Sequence, residues 1–249
     1  MKPIDRISLA SLLRSSTRKP WATAIAPLND EAECSLQGVF EPAAIDVLES
    51  LELSEFSWQR EGSTLPLWGR ENVAEPILPW SVPRSTARLL FLLVMAARPR
   101  TIIEIGTSRG YSALWLAQAA MNLGAHLHTV EAMQDKARDA RSHLSAARVA
   151  NWTLHQREAA DFCASWNEPI DFLFLDADAI AYCGYWRLLR PHLSTRAVIV
   201  ADNALTHPHL LAPFVDLLEA DGGFHSYLEP LDNGLLLAYA RAVNANKEG

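Results

Sequence analysis

Acidic and amide side chains follow two apolar segments that have the length of buried strands. Asp176 comes directly after residues 171–175. Asp202 and Asn203 come directly after residues 197–201. Because open α/β sheets bind ligands at the carboxyl ends of their strands, we expect these three side chains to meet at one sheet edge. Two carboxylates and an amide oxygen suit Mg²⁺, Mn²⁺ or Ca²⁺. The alternative is that Asp176 caps a helix and the other two residues shape a turn.

A turn with two glycines lies between another apolar segment and a helix-like stretch. Residues 101–105 are followed by Gly106-Thr107-Ser108-Arg109-Gly110. Glycine tolerates conformations that side chains forbid, so backbone amides at this turn can approach a ligand closely. The G-x-x-x-G spacing differs from the G-x-G-x-x-G of nicotinamide dinucleotide sites, which disfavours a dehydrogenase. The alternative role for the two glycines is tight packing between strand and helix.

A third acidic position ends the predicted strand 126–130. Glu131 follows this strand directly. A carboxylate at the end of the second strand can accept both ribose hydroxyls of a nucleoside. The alternative is a solvated acid at the start of a helix. With the glycine turn, Glu131 predicts a nucleoside-containing cofactor.

The segments that must position these residues alternate between short apolar runs and stretches of helical period. The predicted strands are 101–105, 126–130, 153–155, 171–175 and 197–201. The alternation is typical of βαβ units, so we predict an α/β fold with a Rossmann-like, doubly wound sheet. After Gly222 and Gly223, the runs 225–228 and 235–240 predict a closing antiparallel hairpin. A helix before the first strand should end near Pro99.

The first part of the chain differs in character from the rest. Residues 1–80 contain Trp21, Trp58, Trp68 and Trp80, several prolines and one amphipathic helix around residues 44–51. We predict an N-terminal helical or irregular cap or lid over 1–80 and a second domain over 81–249. The cap would either cover the core or face the substrate.

Composition narrows the class of protein. The 249 residues carry 22 Lys and Arg against 29 Asp and Glu, a net charge of −7 that disfavours nucleic acid as a partner. Cys34, Cys163 and Cys183 are scattered and suggest neither a disulfide framework nor a zinc site. No run approaches the ~20 apolar residues that span a bilayer, and the N-terminus lacks a secretory pattern. We therefore predict a cytoplasmic protein without a membrane partner.

The string 104–112, Glu-Ile-Gly-Thr-Ser-Arg-Gly-Tyr-Ser, resembles motif I of class I S-adenosylmethionine-dependent methyltransferases. It is similar in particular to the O-methyltransferases that include the catechol and caffeoyl-coenzyme A enzymes. Further segments match in the same order, at 129–131, 157–159, 171–178 and 201–203. The resemblance covers roughly residues 81–241. It implies a seven-stranded sheet with an antiparallel last strand, S-adenosylmethionine as cofactor and a homodimer.

The resemblance also implies roles for individual residues. The cofactor would contact Glu104, Gly106, Thr107, Ser108, Gly110, Tyr111, Ser112, Glu131, Glu158, Ala159 and Asp176. Glu158 stands where the family usually has Asp. The positions that the family assigns to its divalent metal are Asp176, Asp202 and Asn203.

One position departs from the family pattern. The family's lysine, three residues after the first metal-ligand aspartate, is replaced by Ala179, although Tyr182 still matches. His207 is the best substitute base, because imidazole titrates near neutral pH and the loop after Asn203 should face the same edge. The predicted catalytic residues are His207, Asp176 and Asp178, and His209 competes with His207.

The function predicted by this combination is methyl transfer to a hydroxyl oxygen of a small molecule. The transfer would be an in-line displacement at the sulfonium methyl, with a metal lowering the pKa of the acceptor hydroxyl. One alternative is methylation of a modified RNA nucleoside on the same scaffold. Another, motivated by Ala179, is a cofactor-binding protein without turnover.

Overall fold

The computed structural model describes residues 36–60 and 81–241, with side chains for 36–53 and 81–241. Predictions that fall on Trp21, Cys34, Trp68 and Trp80 lie outside the described residues, as does the side chain of Trp58.

One sheet of seven strands forms the centre of the described structure. The strands are β1 (Thr101–Ile105), β2 (His126–Glu131), β3 (Trp152–Gln156), β4 (Ile170–Leu175), β5 (Leu193–Ala201), β6 (Phe224–Glu229) and β7 (Leu235–Ala240). Their order is β3-β2-β1-β4-β5-β7-β6. The first five are parallel, and β7 runs antiparallel to both β5 and β6. The predicted fold class and the closing hairpin are therefore confirmed.

Strand β5 begins four residues earlier than predicted, at Leu193 rather than at Ala197. Its pairing with β4 is irregular, because Ile170 pairs with Leu193 whereas Phe172 already pairs with Val198. The extra residues form a bulge, which carries polar residues without the alternation that marks a strand in sequence.

Seven helices flank the sheet in the described part of the chain. They are α1 (Pro42–Arg60), α2 (Arg84–Ala97), α3 (Tyr111–Leu123), α4 (Gln134–Ala146), α5 (Ala159–Ser165), α6 (Tyr182–Leu189) and α7 (Pro208–Asp221). Helix α2 ends at Ala97, and the next residue, Arg98, has a left-handed φ of 50° and precedes Pro99. The predicted stop near Pro99 is confirmed. The helix ends there because proline disfavours helical conformation in the residue before it. Within the described ranges, no helix is long and apolar enough to cross a membrane.

The two faces of the sheet are covered by different helices. In β4, Phe172 and Phe174 point to one face, and Leu173 and Leu175 point to the other. This alternation follows from the two-residue period of a strand. Residues of α1, α2 and α3 cover the first face, and residues of α5, α6 and α7 cover the second. The fold is thus doubly wound.

Helix α1 shares the core of the first face. Ala44 and Leu48 are completely buried. Just before the helix, the ring of Phe40 lies 5.0 Å from Phe91 and 4.9 Å from Trp115, between ring centroids. These contacts place the described part of the N-terminal segment directly on α2 and α3.

Candidate functional site

The strand register aligns four chain segments at the edge where the parallel strands end, called here the carboxyl edge. Cross-strand partners in one row are Val130, Ile105, Leu175 and Ala201. The residues that follow them are Glu131, Gly106, Asp176 and Asp202. The amides of Asp176 and Asp202 continue the ladder, donating to the carbonyls of Ile105 at 2.9 Å and Leu175 at 3.0 Å. The structure therefore brings the glycine turn and the predicted carboxylates to one edge.

Gly106 allows two chain segments to touch. It has a φ of 103°, and a Cβ atom at this position would lie 2.0 Å from the backbone oxygen of Asp176. Its amide and that of Thr107 both donate to the carbonyl of Val130, at 3.0 and 3.1 Å. Gly106 is thus required for close approach of backbones, the packing role that the sequence left open.

The amides of Ser108 and Gly110 in this turn are also bonded within the protein. The amide of Ser108 donates to Oε2 of Glu131 at 2.8 Å, and that of Gly110 donates to the carbonyl of Thr107 at 2.9 Å. A Cβ atom on Gly110 would lie 3.1 Å from Ala140 of α4. The sequence predicts that amides of this turn approach a ligand. In the structure, the amides of Gly106, Thr107, Ser108 and Gly110 instead donate to other groups of the protein.

Glu131 is held in a fixed orientation beside the turn. Its Oε2 accepts from Ser108, and its Oε1 accepts from the amide of Met133 at 2.9 Å. Each carboxylate oxygen keeps a further lone pair for a ligand hydroxyl. Ser108 has a φ of 47°, and its buried Oγ has no hydrogen-bond partner in the described structure. A buried hydroxyl without a partner is costly, which points to a ligand contact at the turn.

A series of hydrogen bonds between buried side chains connects the turn to β1 and β2. Thr107 donates to Thr129 at 2.5 Å, and Thr129 and Ser112 each donate to the Glu104 carboxylate at 2.6 Å. Burial raises the pKa of Glu104 to about 7, and the charge of Glu131 adds to the rise. The hydrogen bonds from Ser112 and Thr129 act in the opposite direction and lower this pKa. The side chains of Glu104, Thr107 and Ser112 are therefore engaged inside the protein, and direct cofactor contact by them stays a prediction.

Tyr111 is tied to the N-terminal segment. Its ring is buried at the start of α3, and its hydroxyl donates to Oε1 of Glu52 in α1 at 2.5 Å. Arg84 of α2 donates to both oxygens of the same carboxylate, at 3.0 and 2.7 Å. Burial, followed by the hydrogen bond and charge of Glu52, raises the pKa of Tyr111. The hydroxyl of this predicted cofactor residue is therefore already bonded within the protein.

Glu158 and Ala159 lie where α5 begins. The amide of the preceding Arg157 donates to the carbonyl of Glu131 at 3.1 Å, so the exit of β3 lies beside the end of β2. Glu158 is exposed and Ala159 is partly exposed. Both follow Arg157, which contacts Glu131, and their contact with a cofactor stays a prediction.

Asp176 and Asp202 repel each other at the carboxyl edge. Burial raises the pKa of Asp176 well above its ordinary value, the charges of Asp202 and Glu104 add to this, and Lys136 opposes it. Burial also raises the pKa of Asp202 to about 6, the amide of Asn203 opposes this, and the charge of Asp232 adds to it. Oδ1 of Asp202 is buried and has no hydrogen-bond partner among the described residues.

Asn203 adjoins this pair on the loop after β5. It has a φ of 70°, and its Oδ1 accepts from Oγ1 of Thr206 at 3.2 Å. The amide oxygen retains a second lone pair. In the described part of the chain, no group of three or more His, Cys, Asp or Glu residues is arranged to hold a metal ion. The ligands predicted from sequence are the carboxylates of Asp176 and Asp202 and the amide oxygen of Asn203. That these three residues bind a metal stays a prediction.

The predicted bases lie on the loops that follow β4 and β5. Nδ1 of His207 lies 3.1 Å from Oγ1 of Thr206, and the His207 amide donates to the carbonyl of Asn203 at 2.9 Å. Asp178 is exposed, and its Oδ1 accepts from the amide of Ile180 at 3.0 Å. Asp178, rather than Asp176, therefore caps the short helical turn Ala179–Ala181.

The position of the missing lysine is occupied by a packed side chain. Ala179 is 9% exposed and belongs to the apolar cluster on the second face of the sheet. Tyr182, which keeps the family pattern, is fully buried, and its hydroxyl donates to the carbonyls of Leu175 at 3.0 Å and Ala177 at 3.3 Å. These bonds hold the chain on both sides of Asp176.

The sequence analysis assigned no role to two residues that support the edge, Glu52 and Lys136. Thr129 stands in a segment of the family resemblance, and it shares a face with Glu131 because side chains alternate along a strand. Glu52 and Asp232 lie far in sequence from the residues they contact, at separations of 59 and 146 positions.

Comparison with known proteins agrees with this geometry. Residues 103–204 match the family model described as a methyltransferase domain. A catechol O-methyltransferase from Niastella koreensis is 31% identical over 50% of this chain and 58% of its own length. A catechol O-methyltransferase from Mycobacterium tuberculosis is 34% identical over 53% of this chain and 60% of its own length.

A solved structure has the same fold. The O-methyltransferase from Bacillus cereus, crystallised in complex with SAH, has a TM-score of 0.64 at 23% identity. The alignment covers 79% of this chain and 91% of that chain. The chain spans about three fifths of the length of the two curated relatives. Residues 103–204 are thus similar to a methyltransferase domain, and the chain shares its fold with the O-methyltransferase from Bacillus cereus.

Proposed function

We propose that this protein is an S-adenosylmethionine-dependent O-methyltransferase that acts on a hydroxyl of a small molecule. The observation that carries the proposal is the row of Glu131, Gly106, Asp176 and Asp202 along one sheet edge. We infer that a nucleoside site and a cluster of oxygen ligands lie together at the carboxyl ends of the strands, where such sheets bind ligands.

The residues beside the glycine turn fit the proposed cofactor, which supplies the methyl group. Glu131 is fixed by two backbone amides and retains lone pairs for ribose hydroxyls. The buried Oγ of Ser108 lies on the same turn and needs a partner. The B. cereus protein with this fold was crystallised with SAH, which supports the same kind of cofactor here.

The residues at the ends of β4 and β5 fit a divalent cation. Asp176 and Asp202 repel each other, and Oδ1 of Asp202 is buried without a partner in the described structure. A positive charge would relieve both conditions, so we propose Asp176, Asp202 and Asn203 as its ligands. A bound Mg²⁺, Mn²⁺ or Ca²⁺ would lower the pKa of the acceptor hydroxyl.

The chain itself would orient the reactants and receive the proton. Transfer breaks the bond between sulfur and methyl carbon and forms a bond from that carbon to the acceptor oxygen, whose proton must leave. We assign proton acceptance to His207, which lies on the loop that carries Asn203, with Asp178 as the competing group. Tyr182 fixes the backbone around Asp176 and so keeps the ligand carboxylate at the edge.

The rim of the edge favours an acceptor with an apolar body. Ile180 and Leu205 follow the ends of β4 and β5 and are 67% and 45% exposed. We propose that these two side chains contact the acceptor. The catechol O-methyltransferase relatives suggest an aromatic hydroxyl.

Cofactor binding is tested by calorimetry with S-adenosylmethionine. Glu131→Gln should weaken binding at least about tenfold, because a charge-assisted hydrogen bond to a ligand hydroxyl contributes about 1.5–3 kcal/mol. The matched control is Glu219→Gln, since Glu219 is exposed on α7. Equal affinities for the two variants would contradict the proposed ribose contact.

Turnover is tested with phenols and catechols, with Mg²⁺ present or removed by a chelator. The proposed enzyme transfers methyl groups to oxygen, loses rate without Mg²⁺, and loses both Mn²⁺ binding and rate in Asp202→Ala. Unchanged turnover in that variant would remove the metal from the mechanism. Cofactor binding without transfer to any acceptor would instead identify a binding protein.

We further propose a homodimer, which the resemblance implies, and a cytoplasmic location. Light scattering of the purified chain would test the dimer, and a monomeric mass would contradict it. Fractionation of cells that express the chain would test the location.

A further inference from the structure

The turn 231–234 connects β6 to β7 at the carboxyl edge. Because β7 is antiparallel to β5 and pairs Leu236 with Ala201, its preceding turn comes back beside Asp202. Asp232 in this turn adopts a left-handed φ of 51°. A non-glycine residue in this conformation persists where its surroundings hold it.

On one side, the turn is anchored to the start of α2. Oδ2 of Asp232 accepts from Oγ of Ser85 at 2.5 Å and from Oγ1 of Thr86 at 2.8 Å. Thr86 is 1% exposed, so its hydroxyl depends on this carboxylate for a partner in the described structure. Two hydroxyl donors on one oxygen fix both the side chain and the turn.

On the other side, the turn holds the loop that follows β5. The carbonyl of Asn233 accepts from the amides of Leu205 at 2.8 Å and Thr206 at 3.2 Å. The carbonyl of Gly234 accepts from the amide of Ala204 at 2.8 Å. A Cβ atom on Gly234 would lie 2.4 Å from Cγ of Leu205, so the two loops are in direct contact.

We infer that Asp232 is a positioning residue for the acceptor side of the site, acting through the 203–206 loop. It fixes the 231–234 turn on α2, and the turn fixes the loop that presents Asn203 and His207. This inference rests on the proposed function. The Gly106 turn is bonded to β2 and lies apart from this connection, so cofactor binding should not depend on Asp232.

The size of the effect follows from geometry. Loss of the anchor frees the 231–234 turn, and the three loop amides bonded to it lose a fixed partner. A displacement of about 1 Å at a reacting group can cost a factor of about 100 in rate. The expected result for Asp232→Ala is a kcat lowered at least about tenfold and a raised KM for the acceptor.

Asp232→Asn is the conservative variant that tests the anchor itself. Its amide oxygen can still accept from both hydroxyls, so the variant should recover most of the lost kcat. Thr86→Val, which removes one donor, should reproduce part of the defect. Combined with Asp232→Ala it should add little, because both changes remove the same bond.

Three further measurements decide the outcome. Calorimetry should give all variants and the natural chain S-adenosylmethionine affinities within about twofold of each other. A lost contact worth one kcal/mol would already lower the affinity about fivefold. Thermal unfolding should show that each variant folds. Hydrogen exchange should accelerate at residues 204–206 in Asp232→Ala and stay unchanged at residues 106–108.

Several results would overturn the inference. They are an unchanged kcat in Asp232→Ala, an equal loss in Asp232→Asn, or a parallel loss of cofactor affinity. If the natural chain transfers no methyl group, the proposed function fails. Hydrogen exchange then decides the anchoring separately, and unchanged exchange at 204–206 refutes it.

Discussion

The hydroxyl of Tyr111 donates to Oε1 of Glu52 at 2.5 Å, joining the helix that follows the glycine turn to the helix of the N-terminal segment. Arg84 binds the same carboxylate with an N–O distance of 2.7 Å. Three helices therefore meet at one carboxylate next to the proposed cofactor site. The described N-terminal helix is a structural support of that site as well as a cover for the core.

Tyr111→Phe should lower the free energy of unfolding by about 1.5–3 kcal/mol, the usual contribution of a hydrogen bond to a charged group. The ring remains packed, so the hydroxyl alone is tested. Tyr239→Phe is the matched control, because the Tyr239 ring packs on His225 at 5.2 Å and this contact survives the change. Urea unfolding measures the stability of both variants. Equal free energies of unfolding for Tyr111→Phe and Tyr239→Phe would refute the importance of the Tyr111 hydrogen bond.

Gly106→Ala should destabilise the fold by more than about 3 kcal/mol, because overpacking against rigid backbone has no cheap relaxation. The added Cβ atom would lie 2.0 Å from the Asp176 oxygen. Gly124→Ala is the control, since Gly124 also has a positive φ, 67°, but has nothing within 4 Å of an added Cβ. The control should cost about 1–2 kcal/mol, the penalty of the left-handed conformation alone. Thermal unfolding that gave both variants the same loss would contradict the close approach.

Glu104→Gln should change how stability depends on pH. The folded pKa of Glu104, about 7, exceeds its ordinary value of 4.5, so between these values the folded state binds more protons than the unfolded state. Stability from this group is therefore present below pH 4.5 and is lost as the pH rises to 7. The non-titrating glutamine should gain about 3 kcal/mol relative to the natural chain across this range.

Urea unfolding at the two ends of that range, together with Glu219→Gln as an exposed control, tests this prediction. If the free energy of unfolding changes with pH equally in Glu104→Gln and in the natural chain, Glu104 does not retain its proton on folding.

His128→Phe should change the pH dependence in the opposite direction. Burial, aided by the charges of His126 and His155, lowers the pKa of His128 from 6.5 to about 4. The unfolded state therefore binds more protons between these values, and stability is lost as the pH falls below 6.5. At pH 5 the natural chain should lose about 1–2 kcal/mol through this group.

Phenylalanine keeps the ring contact with Trp166, whose centroid is 4.7 Å away, and cannot titrate. His209→Gln is an exposed control. Denaturant unfolding at pH 7.5 and pH 5 compares the variants, and an acid sensitivity that persists in His128→Phe would assign the effect to other groups.

Local patterns in the chain were enough to predict the strands and the edge at which chemistry is possible. Apolar runs of strand length and the helical stretches between them predicted the parallel sheet, because burial on both faces requires this pattern. Residues that follow such strands directly must lie at one edge, so Glu131, Gly106, Asp176 and Asp202 could be grouped from their positions in the chain alone. The predicted boundaries failed mainly at β5, where a bulge interrupts the alternation.

Which groups remain available for a ligand depends instead on contacts between distant segments. Local sequence predicted open amides at the glycine turn, but the end of β2 accepts hydrogen bonds from Gly106, Thr107 and Ser108, and the turn itself accepts one from Gly110. Glu52 and Asp232 reach the site only because helices and a hairpin far along the chain fold back on it. Such contacts have no periodicity and no local motif, since they depend on loop closure between distant segments rather than on the conformation of neighbouring residues.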